Sequence, residues 1–177
     1  PKWSVGPIIA IVIGAATGYL VTALSPTSTP DTWWFVMLSG AIAICAMILP
    51  GISGSFILLL LGKYQYIMTA VSELNIPVLL IFVVGAVVGI ISFSHFLSWL
   101  LKNYHSVTVA LLTGFMVGSL NKVWPWKKVL ETYTDSDGVA HPLVESNVWP
   151  GTYENITGAD PELWAAIGIC VFGFLLI

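Results

Sequence analysis

The sequence predicts an all-α integral membrane protein: a polytopic helical bundle with a re-entrant, broken-helix hairpin at Pro50-Gly51. Three observations carry this. Of 177 residues, 57% are hydrophobic and 8% charged, whereas a soluble domain carries roughly 25% charged residues. Several apolar runs are long enough to cross a bilayer. A turn signal, Leu49-Pro50-Gly51-Ile52-Ser53-Gly54-Ser55, lies in the middle of a charge-free run from Thr32 to Gly62. Pro and Gly interrupt helices, and non-helical backbone at membrane depth must be buried in protein or line a polar cavity.

Taken in order, Val5 to Leu24 supplies about 20 residues, enough for one crossing at 1.5 Å per residue. Pro7 falls in its first turn, where it is tolerated. Residues 25–32 form a Pro/Ser/Thr loop holding Asp31. Trp33 to Val71 is too long for one span and divides at Pro50 into two pieces of about 16 residues, each short for a crossing. A re-entrant hairpin fits best. Two tilted spans meeting at Pro50 are the rival, and a broken span followed by an interfacial helix comes third. Pro77 to Leu101 is the clearest span. His105 to Leu120, about 16 residues, is short for a crossing, and re-entry is slightly favoured over a thin span.

Residues 121–161 form a polar extramembrane loop within a single transmembrane domain covering 1–177. In it, Asp135-Ser136-Asp137-Gly138 lacks the remaining ligands of a calcium loop and is expected to turn between strands Val129–Thr134 and Val139–Val144. Trp124, Trp126 and Trp149, with Lys122, Lys127 and Lys128, resemble an interfacial belt. A last span begins at Glu162 and is cut by the chain end, so the sequence reads as part of a longer polypeptide.

Charge and cysteine usage exclude several classes. There are six Lys, no Arg and nine acidic residues, and seven of the acids lie between Glu131 and Glu162. The net charge of −3 thus describes one loop, and no basic face exists for a nucleic-acid partner. Cys45 and Cys170 sit in apolar runs as small buried hydrophobes, with no spacing for a metal or redox pair. No nucleophile–base pair and no cofactor motif is evident. Lys2 and Lys102 would face the cytoplasm, with Asp31 and Glu73 outside.

The candidate site is the break. Ser53, Gly54 and Ser55 precede Phe56-Ile57-Leu58 as an N-cap opening a helix. First-turn N–H groups are unpaired and carry the positive dipole end. Gly51 and Gly54 admit close approach, and two hydroxyls add donors, which makes an anion site without Arg. The competing reading is a Pro/Gly kink whose serines satisfy their own backbone. Lys63 either snorkels to the headgroups beside Tyr64 and Tyr66 or meets the anion, although Ser55 and Lys63 are about 12 Å apart along a helix. His95, flanked by Ser92, Ser94 and Ser98, is a neutral histidine bonded to a nearby group or a proton-coupled group. Gly14/Gly18, Gly85/Gly89 and Gly114/Gly118 form three Gly-x-x-x-Gly pairs that suit close helix packing.

Met47-Ile48-Leu49-Pro50-Gly51-Ile52-Ser53-Gly54-Ser55-Phe56 with Leu60-Leu61-Gly62-Lys63-Tyr64 resembles the polyprenyl-phosphate transporter family. Ser98-Trp99-Leu100-Leu101-Lys102, and Leu112 to Leu120 followed by Trp124-Pro125-Trp126-Lys127, match further family segments. The resemblance implies a multi-pass protein of the bacterial inner membrane that returns undecaprenyl phosphate from the outer to the inner leaflet. It implies one half of an inverted-repeat architecture, with the N-terminal repeat missing from this chain, and it leaves a homo-oligomer open. Gly51, Ser53, Gly54, Ser55 and Lys63 would then bind the phosphate, with Pro50 setting the break and no metal or catalytic residue. The alternatives are a transporter or channel for a small soluble anion, a membrane scaffold and, last, a membrane enzyme.

Overall fold

A computed structural model describes residues 5–24, 26–134 and 140–176. The chain divides into two units, Pro1–Lys122 and Val123–Ile177.

The first unit holds six helices: α1 (Val5–Ala23), α2 (Trp33–Ile48), α3 (Gly54–Leu60), α4 (Tyr64–Ser72), α5 (Ile76–Asn103) and α6 (His105–Val123). Of these, α1, α5 and α6 are long and apolar enough to cross a membrane. The Gly-x-x-x-Gly pairs explain how they assemble. A Cβ on Gly14 would strike Leu111 and one on Gly18 would strike Phe115, while Gly114 sits against Ile11 and Gly118 against Ala15. The contacts advance together along both chains, so α1 and α6 run parallel with their backbones touching. The second seam is built the same way. Gly85 abuts Met37, Gly89 abuts Ala41, and Gly40 of α2 abuts Phe82, so α2 and α5 also run parallel. Without a hydrophobic drive between helices in lipid, close backbone packing of this kind is what holds them.

The Pro50 element is the hairpin expected. Residues 49–53 turn the chain back, and α3 returns along α2: Gly54 packs on Ala43 and Met47, and Ala46, Ile57 and Leu60 form one buried cluster. At its end, the Leu60 carbonyl accepts from the Thr27 N–H (2.9 Å), so α3 finishes beside the loop that leads into α2. Both ends of the hairpin therefore lie at one end of the bundle. The expected second piece of about 16 residues is itself broken, however: α3 and α4 meet at 110° across Leu61–Lys63. Gly62, at φ +63° against the Thr27 carbonyl, makes that elbow, a conformation that suits glycine.

Residues 105–120 also depart from expectation. The helix extends to Val123, qualifies by length and composition as a span, and follows α1 in parallel instead of folding back. Its polar last turn, Asn121-Lys122, hid that length in the sequence.

In the second unit, β1 (Lys127–Thr134) pairs antiparallel with β2 (Ala140–Asn147), from Lys127 opposite Asn147 to Thr134 opposite Ala140, with a bulge around Leu130. The hairpin expected there is present and longer at its open end; the turn at 135–139 lies outside the described residues. Helices α7 (Pro150–Thr157) and α8 (Leu163–Leu175) follow. The three tryptophans of the expected belt differ in burial. Trp126 is 8% exposed and donates to the Pro161 carbonyl (2.8 Å), and Trp124 donates to the Val148 carbonyl (2.8 Å) between the edges of Trp126 and Trp149. Trp124 and Trp149 both stay exposed, Trp149 at 74%. Cys45 is half-buried and Cys170 exposed, where burial was expected of both.

Candidate functional site

The turn at the hairpin tip follows from its residues. Gly51 adopts φ +93°, which removes the chain from helical geometry at low cost only for glycine. Its missing side chain leaves room for the Ser119 hydroxyl of α6. Ser119 is 4% exposed and spends its proton on the Met116 carbonyl (2.8 Å). Ser53 then caps α3: its backbone is extended and its hydroxyl accepts from the Phe56 N–H (3.1 Å). The Ser53 and Ser55 hydroxyls are hydrogen-bonded to each other (3.1 Å), which leaves one of the two protons for a ligand. Both serines and Gly51 are exposed, whereas Gly54 is buried against α2. With Phe56 served by Ser53, the N–H groups of Gly54 and Ser55 have no acceptor among the described residues. The tip thus presents a hydroxyl pair and unspent amide donors within an apolar bundle, a set that suits an anion.

Lys63 is not the snorkelling residue of the first expectation. It is 0% exposed, so it does not snorkel, and it stands at the opposite end of α3 from the serines. Its ammonium donates to the Thr29 carbonyl (2.8 Å) and to the Asp31 carboxylate. The rings of Phe35 and Tyr66 flank it at 5.6 and 5.5 Å. Lys63 therefore fastens the foot of the hairpin to the loop before α2. His95 is exposed on α5, and its Nδ1 meets the Ile91 carbonyl at 2.9 Å on its own helix, an acceptor that obliges Nδ1 to donate. It is not drawn to the serine turn.

Two residues near the tip escaped the sequence reading. Ser119 follows Gly118 in a stretch readable as packing, and nothing in the sequence ties it to Gly51. Lys122 stood among the interfacial lysines, yet its ammonium lies 4.9 Å above the Phe56 ring, in the first turn of α3. Its place one turn beyond Gly118 on a helix that packs here was the available signal. Among the described residues no group of three or more His, Cys, Asp or Glu could hold a metal.

These features define a class: an α-helical membrane protein built on glycine seams around a re-entrant hairpin. Comparison with known proteins then gives the family. The chain belongs to the undecaprenyl phosphate translocase-like family, whose model matches residues 1–141. It is 48% identical over 157 residues to a polyprenyl-phosphate transporter of Vibrio cholerae, covering 89% of this chain and 51% of that protein. It is 42% identical over 94 residues to a polyprenyl-phosphate transporter of Staphylococcus aureus, covering 50% of this chain and 33% of that protein. The chain thus spans about half the length of the first of these relatives and a third of the second. No solved structure matches it.

Proposed function

We propose that this chain forms part of a translocase that returns undecaprenyl phosphate from the outer to the inner leaflet of the bacterial inner membrane, without covalent chemistry. The relatives' names supply the lipid class. The observation that carries the site is the hairpin tip, where exposed Ser53 and Ser55 hydroxyls stand 3.1 Å apart beside unspent amides. In this reading Gly51, Ser53, Gly54 and Ser55 hold the phosphate, Pro50 fixes the break, and Lys122 contributes positive charge at the first turn of α3. The α3 helix is only seven residues long, so its dipole adds little and the individual donors do the binding. The polyprenyl tail lies against apolar helix surface in the bilayer. The remaining half of the first relative's length completes the path as a further repeat.

The test is binding of undecaprenyl phosphate to the purified intact protein, with and without Ser53→Ala plus Ser55→Ala. The expected result is loss of binding by at least about tenfold, since one hydrogen bond to a charged group contributes roughly 1.5–3 kcal/mol. Tight binding by the double variant moves the phosphate elsewhere. Transport of inorganic phosphate with indifference to the lipid establishes the soluble-anion reading instead.

A further inference from the structure

The foot of the hairpin holds a charged arrangement that the tip does not use. Lys63 is wholly buried, yet the side chain of its counter-ion Asp31 is 60% exposed. The cation is fixed from several sides: by α3 and α4 on either flank, by the Thr29 carbonyl, and by the Phe35 and Tyr66 rings. The anion is carried on residues 26–32, which contain no helix until Trp33. That loop is attached to the hairpin through two threonines. The Thr27 N–H donates to the Leu60 carbonyl (2.9 Å) and the Thr29 hydroxyl to the Leu61 carbonyl (2.5 Å). A buried cation with an exposed anion on an irregular loop is a pair in which the anion is the part that can leave. A buried ammonium does not tolerate an empty place beside it, so Asp31 can leave only as another anion arrives. A phosphate monoester accepts the same charge-assisted hydrogen bonds as a carboxylate and carries more charge.

We propose that Lys63 is a second phosphate-binding station, at the foot of the hairpin, and that Asp31 occupies it as an exchangeable internal anion. The proposal rests on the lipid-phosphate reading given above. Lys63 follows Ser55 by eight residues, about 12 Å along a helical path, so one phosphate cannot engage both. The two stations are therefore successive: the headgroup displaces Asp31 at the foot, and α3 leads from there to the serine tip. The aromatic rings keep the ammonium in place during the exchange.

The experiment measures binding to the intact protein by native mass spectrometry, with undecaprenyl phosphate, undecaprenol and inorganic phosphate as probes. Asp31→Asn removes the competing anion and is expected to raise affinity for undecaprenyl phosphate about tenfold, with no change for undecaprenol. Adding Lys63→Gln is expected to abolish that gain. A gain confined to the lipid assigns the station to headgroups, and an equal gain for inorganic phosphate assigns it to the free anion. A second measurement needs no charge change: a disulfide between Thr29→Cys and Leu61→Cys, in a protein freed of Cys45 and Cys170, pins the loop. Lipid-phosphate affinity is then expected to fall about tenfold and to return on reduction. If the parent binds the lipid phosphate while Asp31→Asn leaves affinity unchanged or lower and the pinned loop has no effect, the exchange is overturned and the translocase reading stands. If neither the parent nor any variant binds, both fall.

Discussion

At the scale of single residues, Gly51 shows how a site is bought from backbone geometry. Its φ of +93° costs an L-residue about 1–2 kcal/mol, and an added Cβ would meet the Ser119 side chain. Gly51→Ala should therefore lower stability by at least that amount, read as a fall in melting temperature in detergent. The two causes separate on a Ser119→Gly background, where the clash is relieved and the backbone strain remains. Gly51→Ala should then cost less than in the parent but still more than nothing. Equal costs in both backgrounds would show that Ser119 does not bear on the turn. Pro50, Gly51 and the Ser53 cap were legible in the sequence because each has a local conformational reason. The partners of Lys63 were not. Asp31 lies 32 residues earlier, and only the return of α3 to the start of α2 brings the two together, so an ion pair was not among the two readings open to Lys63.

At the scale of elements, the glycine seams distinguish helices that are locked together from helices that are not. Gly118 lies against the Ala15 carbonyl and the Tyr19 amide, both backbone, so neither can swing aside as a side-chain tip would. Gly118→Ala should force α1 and α6 apart and cost about 1–3 kcal/mol, the usual range for overpacking. Gly168 in α8 has nothing within 4 Å of an added Cβ. Gly168→Ala should leave stability unchanged or raise it by about 0.5–1 kcal/mol through helix propensity. Matched thermal melts of the two variants check the contrast, and a harmless Gly118→Ala would mean that the seam is loose. The pairing partners of the seams were not legible, since a Gly-x-x-x-Gly pair specifies close approach but not to which helix. The second break was missed for a related reason. Leu61-Gly62-Lys63 carries a turn signal as plain as Pro50-Gly51, but the apolar run on both sides invited a single helix.

At the scale of the whole molecule, the parallel course of α6 beside α1 settles which loops share an end of the bundle, and it alters the charge argument. Both α1 and α6 run toward the end at which residues 26–32 follow α1, and the α5–α6 junction at Asn103 lies at the other end. Lys122 is in the last turn of a helix that runs toward the Asp31 end, away from Lys102, so the lysine bias that placed Lys2 and Lys102 in the cytoplasm no longer picks a side. Geometry still makes a firm prediction about sidedness. In a protein freed of Cys45 and Cys170, single cysteines at exposed Ser28, Asn103 and Val123 are treated with a membrane-impermeant maleimide in sealed vesicles of one orientation. Ser28→Cys and Val123→Cys should react from the same face and Asn103→Cys only from the other. Labelling of Asn103→Cys and Val123→Cys from one face would mean that α6 re-enters after all. It would also remove the path by which Ser119 and Lys122 reach the hairpin tip, because both depend on α6 keeping step with α1 as far as its last turn.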